Sequence, residues 1–130
     1  MQSRSDWGRQ AEGEAAAFLE TRGFRIVARN YRIRGVGEVD LVALEGGALV
    51  FVEVRSRRGR NVGELVAAAL ESVTPRKQAR LARIASAYLA ERPPPAASDG
   101  SCRFDVIAVA LGADGRRTFE LVRDAFCLGD

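Results

Sequence analysis

Two acidic residues, Asp40 and Glu53, lie in neighbouring stretches of β-favouring apolar residues, and Arg55 follows Glu53 by two positions. The two stretches flank Gly46 and Gly47, a pair typical of a tight hairpin turn. If these glycines form the turn, Asp40 faces Glu53 across the hairpin, with Cβ atoms about 4.5–5.5 Å apart. Two carboxylates about 4 Å apart repel by about 4 kcal/mol at an effective dielectric constant of 20. A divalent cation or one shared proton would relieve that repulsion, which makes the pair a candidate metal site.

The chemistry open to such a pair is phosphate chemistry. Mg²⁺ or Mn²⁺ would bind the carboxylates together with water and phosphate oxygens, acidify a bound water and neutralise charge on the phosphate. Arg55 lies on the strand face of Glu53, because side chains alternate with a period of two. One alternative is a structural ion pair of Asp40 or Glu53 with Arg55 or Arg57. A glycosidase is another, because retaining enzymes space two carboxyl groups by about 5–5.5 Å.

The apolar pattern predicts the elements that position these residues. A helix is expected over about 8–22, ended by Gly23, and a strand over 24–31 precedes the hairpin. Apolar residues on both faces of the hairpin predict helices on both sides of the sheet. One predicted face consists of Val39, Leu41, Ala43, Val50, Val52 and Val54. The other consists of Val42, Leu44, Leu49 and Phe51, with the charged residues at its far end.

The second half of the chain predicts two helices and two strands. After a basic loop over 56–63, a short helix is expected over 64–70. A stronger helix begins with Thr74 as N-cap and Pro75 at its first position and runs to about 91. A loop over 92–100 and strands over 103–111 and 117–122 follow. The predicted class is α/β, a mixed β-sheet flanked by helices, forming a single domain over 1–130. The predicted order is α-β-β-β-α-β-β, in which the short helix over 64–70 is not counted.

Composition excludes several classes of protein. Hydrophobic residues make up 47% of the chain and charged residues 28%, with a net charge of +3, as in globular proteins. No apolar run approaches the ~20 residues that span a bilayer, and the first residues do not resemble a signal peptide. The chain has no histidine and two cysteines, so a typical zinc site and a disulfide scaffold are not expected. We expect a reduced, cytoplasmic setting.

Four segments resemble a known family. GEVDLVA, LVFVEVRSR, VTPRKQARL and CRFDVIAV occur in this order and resemble the YraN family of small bacterial proteins, with similarity from about residue 8 to 126. That family is similar to archaeal Holliday junction resolvases and to the PD-(D/E)xK superfamily. The resemblance implies a restriction-endonuclease-like fold and a metal-dependent endonuclease acting on structured or branched DNA. Resolvases act as dimers because a junction has two-fold symmetry, which makes a homodimer the expectation here.

The resemblance also implies roles for individual residues. Asp40 and Glu53 fall on the metal-binding acids, and the Val54 carbonyl is a possible further ligand. Helical spacing does not choose between Glu12 and Glu14 as a third acid, since they lie on opposite edges of the apolar stripe. A match of Gly13-Glu14 to a glycine–glutamate pair of the family favours Glu14.

Later segments carry further expectations. Lys77-Gln78 matches the lysine–glutamine pair that opens the later helix. Gln78 either reaches the site or is an ordinary helix-capping or solvated glutamine. Arg55 stands where the superfamily usually has lysine; because arginine keeps its proton, Arg55 would position phosphate rather than act as a base. This substitution favours the alternative of a catalytically silent nucleic-acid-binding module. Cations predicted to follow a nucleic-acid backbone, or else to form a solvated basic surface, are Arg57, Arg58, Arg60, Arg76, Lys77 and Arg80.

Overall fold

The structure of the protein is a computed structural model that describes residues 4–59, 61–92, 95 and 97–126. Three helices flank a five-stranded sheet, which confirms the predicted class. The elements in chain order are α1 (Arg4–Thr21), β1 (Arg25–Ile33), β2 (Gly37–Glu45), β3 (Ala48–Arg58), α2 (Val62–Ser72), α3 (Pro75–Glu91), β4 (Cys102–Leu111) and β5 (Arg117–Val122). The short helix expected over 64–70 extends over eleven residues as α2, so two helices follow β3 in succession.

The sheet has the order β1-β2-β3-β4-β5. Neighbouring strands are antiparallel except for β3 and β4, which are parallel. A parallel pair needs a long crossover connection, and here α2 and α3 supply it. This topology places β3, the strand of Glu53 and Arg55, at the centre of the sheet.

The register of the β2–β3 hairpin is the predicted one. The paired residues run from Glu45 and Ala48 beside the turn to Leu41 and Val52. Gly46 and Gly47 form the turn with φ angles of 57° and 101°, a left-handed conformation that glycine adopts without strain. Asp40 and Glu53 are the next residues beyond the last pair.

Both faces of the sheet are buried under helices. Leu41, Ala43, Val50, Val52 and Val54 share one face, as predicted, and pack against α1. Val42, Leu49 and Phe51 pack on the opposite side beneath α2 and α3. The prediction for Val39 is wrong, because Val39 joins the cluster beneath α2 and α3. Val39 and Leu41, two residues apart on β2, thus pack on opposite sides of the sheet. This change occurs where the pairing of β2 with β3 ends. No helix among the described residues combines the length and apolar character needed to cross a bilayer.

Candidate functional site

Asp40 is fixed to β3 by a hydrogen bond to the backbone. Its Oδ2 accepts from the Val54 N–H at 2.7 Å, and Val54 is 8% exposed. A buried N–H without an acceptor is costly, and the described β2–β3 pairing stops at Leu41 and Val52. The Asp40 carboxylate therefore takes the place of a backbone acceptor at the point where the two strands separate.

Glu53 is a buried acid with one oxygen uncompensated. The residue is 7% exposed, its Oε2 lies 3.2 Å from Arg55 Nη2, and its Oε1 is buried without a hydrogen-bond partner among the described residues. Burial, and then the neighbouring charge of Asp40, raise the pKa of Glu53 to about 8 against the opposing effect of Arg55 and Arg80. A buried carboxylate oxygen without a partner costs free energy, so Glu53 has an open position for a cation or a proton.

The third acid of the site is Glu12, on α1. Burial, and then the charge of Asp40 and a side-chain hydrogen bond to it, raise the pKa of Glu12 to about 7. Burial also raises the pKa of Asp40. Oriented to satisfy its hydrogen bonds, the Asn30 amide nitrogen lies 2.9 Å from Glu12 Oε2 and 3.0 Å from Glu38 Oε1. Asn30 has a φ of 51°, a left-handed conformation in the middle of β1 that turns the amide to these acids.

Glu14 lies elsewhere. Its Oε2 is 2.7 Å from Arg117 Nε on β5, and its Oε1 accepts from Gln10 at 3.0 Å. Residues two apart on a helix point in roughly opposite directions, since each residue turns the helix by about 100°. The structure thus brings Glu12, and not Glu14, to Asp40. The position of both residues at the edge of the apolar stripe held no signal to choose between them.

Arg55 and Arg80 are the cations beside Glu53. Arg55 contacts Glu53 and donates from Nε to Ser72 Oγ at 2.9 Å, so the ion pair considered as a structural alternative is present. The side chain of Arg80 packs over Gly37. A Cβ atom added to Gly37 would lie 2.7 Å from Arg80 Cδ. The charge of Arg80 lowers the pKa of Glu53.

The remaining predicted residues that the structure describes lie on β3 and α3. Gln78 donates from Nε2 to the carbonyl of Val73, the C-cap residue of α2, at 3.0 Å. It therefore caps the preceding helix and not α3, whose N-cap is Thr74. Arg57 and Arg58 are exposed at the end of β3, and Arg76 is exposed in the first turn of α3, beside the half-buried Lys77. Arg60 lies outside the described residues.

An open cleft adjoins Glu12. It has a volume of about 520 Å³ and is lined by Gly8, Arg9, Glu12, Asn30 and Glu38. Within the described part of the chain, no three histidine, cysteine or acidic side chains are arranged as a group that could hold a metal ion. The acids are therefore not a closed cage, and a cation bound there would complete its coordination with water or a bound phosphate.

A second charged cluster consists of Glu45, Arg103, Asp105 and Arg123, and its charges are paired with one another. Asp105 is 1% exposed and receives two hydrogen bonds from Arg103, at 2.8 and 2.9 Å. Arg103 and Arg123 both contact Glu45. The acid of the CRFDVIAV segment thus has a structural role, since a paired and hydrogen-bonded charge is the form in which proteins bury one.

Together, fold and site define a small mixed α/β protein with an acidic site where two central strands separate. The chain belongs to the uncharacterised protein family UPF0102, whose model matches residues 11–109; this confirms the YraN assignment. A UPF0102 protein of Symbiobacterium thermophilum is 51% identical over 122 residues, covering 92% of this chain and 94% of that protein. One of Pelotomaculum thermopropionicum is 45% identical over 120 residues, covering 92% and 93%.

A weaker similarity connects the chain to a solved structure. SfsA of Pyrococcus furiosus, in complex with Ca²⁺, is 15% identical with a TM-score of 0.32. The match covers 82% of this chain and 57% of that longer one.

Proposed function

We propose that this protein is a metal-dependent DNA endonuclease that hydrolyses phosphodiester bonds in structured or branched DNA. The observation that carries the proposal is the unpartnered, buried Oε1 of Glu53 beside Asp40. Burial raises the pKa of Glu12, Asp40 and Glu53 alike. The described side chains leave the negative charge of these acids incompletely compensated, and a bound divalent cation would compensate it.

The residues present fit Mg²⁺ or Mn²⁺. Mg²⁺ is usually held by one or two carboxylates together with waters and substrate phosphates. Asp40, Glu53 and the Val54 carbonyl would hold the ion, and water and a substrate phosphate would supply the remaining ligands. When bound, the ion would supply an acidified water and neutralise charge on the phosphate.

Side chains of the protein would orient the phosphate, stabilise the transition state and accept a proton. Arg55 and Arg80 lie beside Glu53, where they would orient a phosphate and stabilise the negative charge of the transition state. Neither acts as a base, because arginine keeps its proton. In the metal-free protein, burial and the charge of Asp40 raise the pKa of Glu12 to about 7. Glu12 would accept a proton in this proposal, since an effective base has a pKa close to the working pH.

The basic residues supply the DNA contacts in this proposal. Arg57 and Arg58 lie at the end of β3, Arg60 follows them in the sequence, and Arg76 and Lys77 lie in the first turn of α3. Such contacts to a phosphate backbone release counterions, so binding should weaken as salt rises. Branched DNA and a homodimer follow from the resemblance to junction resolvases, whose substrate has two-fold symmetry.

The test is cleavage of four-way junction, flap and linear duplex DNA with Mg²⁺ or Mn²⁺. We expect the wild-type protein to cut branched DNA, and Asp40→Asn and Glu53→Gln each to slow cleavage by about 100-fold or more. Glu45→Gln, which removes a paired acid away from the site, is the matched control and should retain activity. Absence of cleavage by the wild-type protein, or cleavage that survives both site substitutions, would refute the catalytic proposal.

Two observations favour one alternative, a catalytically silent nucleic-acid-binding module. Arg55 is already paired with Glu53, and the described acids form no ready-made group of three for a metal ion. This alternative predicts DNA or RNA binding that is sensitive to salt but unchanged by EDTA and by Asp40→Asn. Fluorescence anisotropy measures both dependences, and loss of binding in EDTA would exclude it.

A further inference from the structure

The guanidinium of Arg55 is held by three contacts, one at each nitrogen. Nη2 lies 3.2 Å from Glu53 Oε2, Nε donates to Ser72 Oγ at 2.9 Å, and Nη1 donates to the Val54 carbonyl at 3.3 Å. An arginine often offers two parallel N–H groups to one carboxylate as a bidentate pair. Here the edge formed by Nε and Nη2 is shared between the Ser72 hydroxyl and a single oxygen of Glu53.

The Ser72 hydroxyl is itself held in place. Ser72 ends α2, and its hydroxyl donates to the Ala69 carbonyl at 2.6 Å. Because a hydroxyl has one hydrogen, this bond directs its lone pairs toward Arg55. The next residue, Val73, is 3% exposed and donates to the Leu70 carbonyl at 3.2 Å. The acceptor for Arg55 is therefore anchored to the core.

Because this edge of Arg55 is shared, only one oxygen of Glu53 is paired with Arg55, and Oε1 is left out of this ion pair. This oxygen is buried and lacks a partner among the described residues. Without Ser72, a small rotation would turn Nε of Arg55 toward Glu53 and allow a bidentate pair that occupies both carboxylate oxygens.

We propose that Ser72 is a positioning residue that holds Arg55 to one oxygen of Glu53 and keeps Oε1 open to a cation. The identity of the cation rests on the proposed function, whereas the position of Arg55 does not. Ser72 also restrains an arginine at a position where a lysine is usual in the superfamily that the sequence resembles. The contacts described leave one N–H on each terminal nitrogen of Arg55 for a phosphate oxygen.

The first measurement follows the Arg55 Nε–H signal by ¹⁵N NMR in metal-free protein, assigned by its absence in Arg55→Lys. In Ser72→Ala we expect the hydrogen signal to move downfield, as its acceptor changes from a hydroxyl to a carboxylate. Ser72→Thr keeps the hydroxyl and should keep the wild-type signal. Ser101→Ala removes a hydroxyl bonded to Asp99 and serves as the control. An unchanged signal in Ser72→Ala would overturn the positioning role.

The second measurement is a titration with Mn²⁺ alone. Ser72→Ala should weaken Mn²⁺ binding about tenfold, and Ser72→Thr should restore it to within about threefold. In the Arg55→Lys background, Ser72→Ala should change affinity by less than about twofold, because lysine cannot form a bidentate pair. Equal affinity of wild type and Ser72→Ala would overturn the effect on Oε1. A wild-type protein that binds no Mn²⁺ would overturn the proposed cation site, and the NMR signal would still decide the position of Arg55.

Discussion

Replacing Glu53 by glutamine should make the metal-free protein more stable in alkaline solution, relative to wild type. The pKa of Glu53 is about 8 in the folded protein, against an ordinary value of 4.5. Between these values the folded state holds a proton that the unfolded state has lost, so wild-type stability falls as pH rises through this window. Glutamine cannot ionise, and the variant lacks this loss.

The size of the effect follows from the two pKa values. One pH unit between them is worth about 1.4 kcal/mol, so ionising Glu53 costs the folded state at most about 5 kcal/mol. The new amide would bury an N–H group at the position of Oε1, at a cost of about 1–3 kcal/mol. That cost is independent of pH. The stability of Glu53→Gln relative to wild type should therefore increase by about 4 kcal/mol from pH 5 to pH 8.5.

Urea unfolding of EDTA-treated protein at pH 5 and pH 8.5 measures this difference. Glu45→Gln is a control in which the change in stability should have the opposite sign, because Arg123 and Arg103 lower the pKa of Glu45. The stabilisation from Glu45 is present above its ordinary pKa and is lost as pH falls through its lowered value, so Glu45→Gln should be the less stable protein at pH 8.5. A difference between Glu53→Gln and wild type that does not grow with pH would refute the reasoning.

Three further predictions concern the same site. Saturating Mg²⁺ should raise the thermal midpoint of wild type at pH 8 by several degrees but leave Asp40→Asn unchanged, because a ligand stabilises the state that binds it; a thermal-shift assay measures both. Gly37→Ala should cost about 1 kcal/mol or more and weaken DNA binding, because φ there is 146° and the new Cβ would displace Arg80. Glu12→Gln should slow DNA cleavage at least about tenfold while Glu14→Gln retains it, as single-turnover rates would show.

Each of these predictions has a contradicting result. A Mg²⁺-induced shift that persists in Asp40→Asn would place the ion elsewhere. Gly35→Ala is the control for Gly37→Ala, since its φ is 79° and no atom lies within 4 Å of the new Cβ; equal loss of DNA binding in both variants would exclude the displacement of Arg80 as the cause. Cleavage that depends on Glu14 rather than Glu12 would contradict the assignment of the third acid.

The hairpin and its burial could be predicted because their causes are local. Two glycines set the turn, and the turn sets a register that brings Asp40 close to Glu53. Apolar residues on both faces required helices on both sides, as observed. These features depend on side-chain period and turn geometry, which are visible in a single sequence.

The third acid and the support of Arg55 could not be predicted because they depend on tertiary structure. Glu12 reaches the site beside Asn30, whose left-handed backbone in the middle of a strand has no sequence signature. Ser72 lies two residues beyond the predicted end of its helix. Its bond to Arg55 depends on how α2 packs against the sheet. Gln78 fitted two roles equally well until the position of the Val73 carbonyl was known.

The bond from the Val54 amide to Asp40 has a practical consequence. Most amides in a sheet donate to backbone carbonyls, which do not titrate, but this one donates to a carboxylate that titrates and that would bind the proposed metal ion. A proton or metal ion that binds the Asp40 carboxylate must alter the electron density at that single N–H. The chemical shift and solvent exchange of one backbone amide thus report occupancy of the site directly, without a substrate or an introduced label.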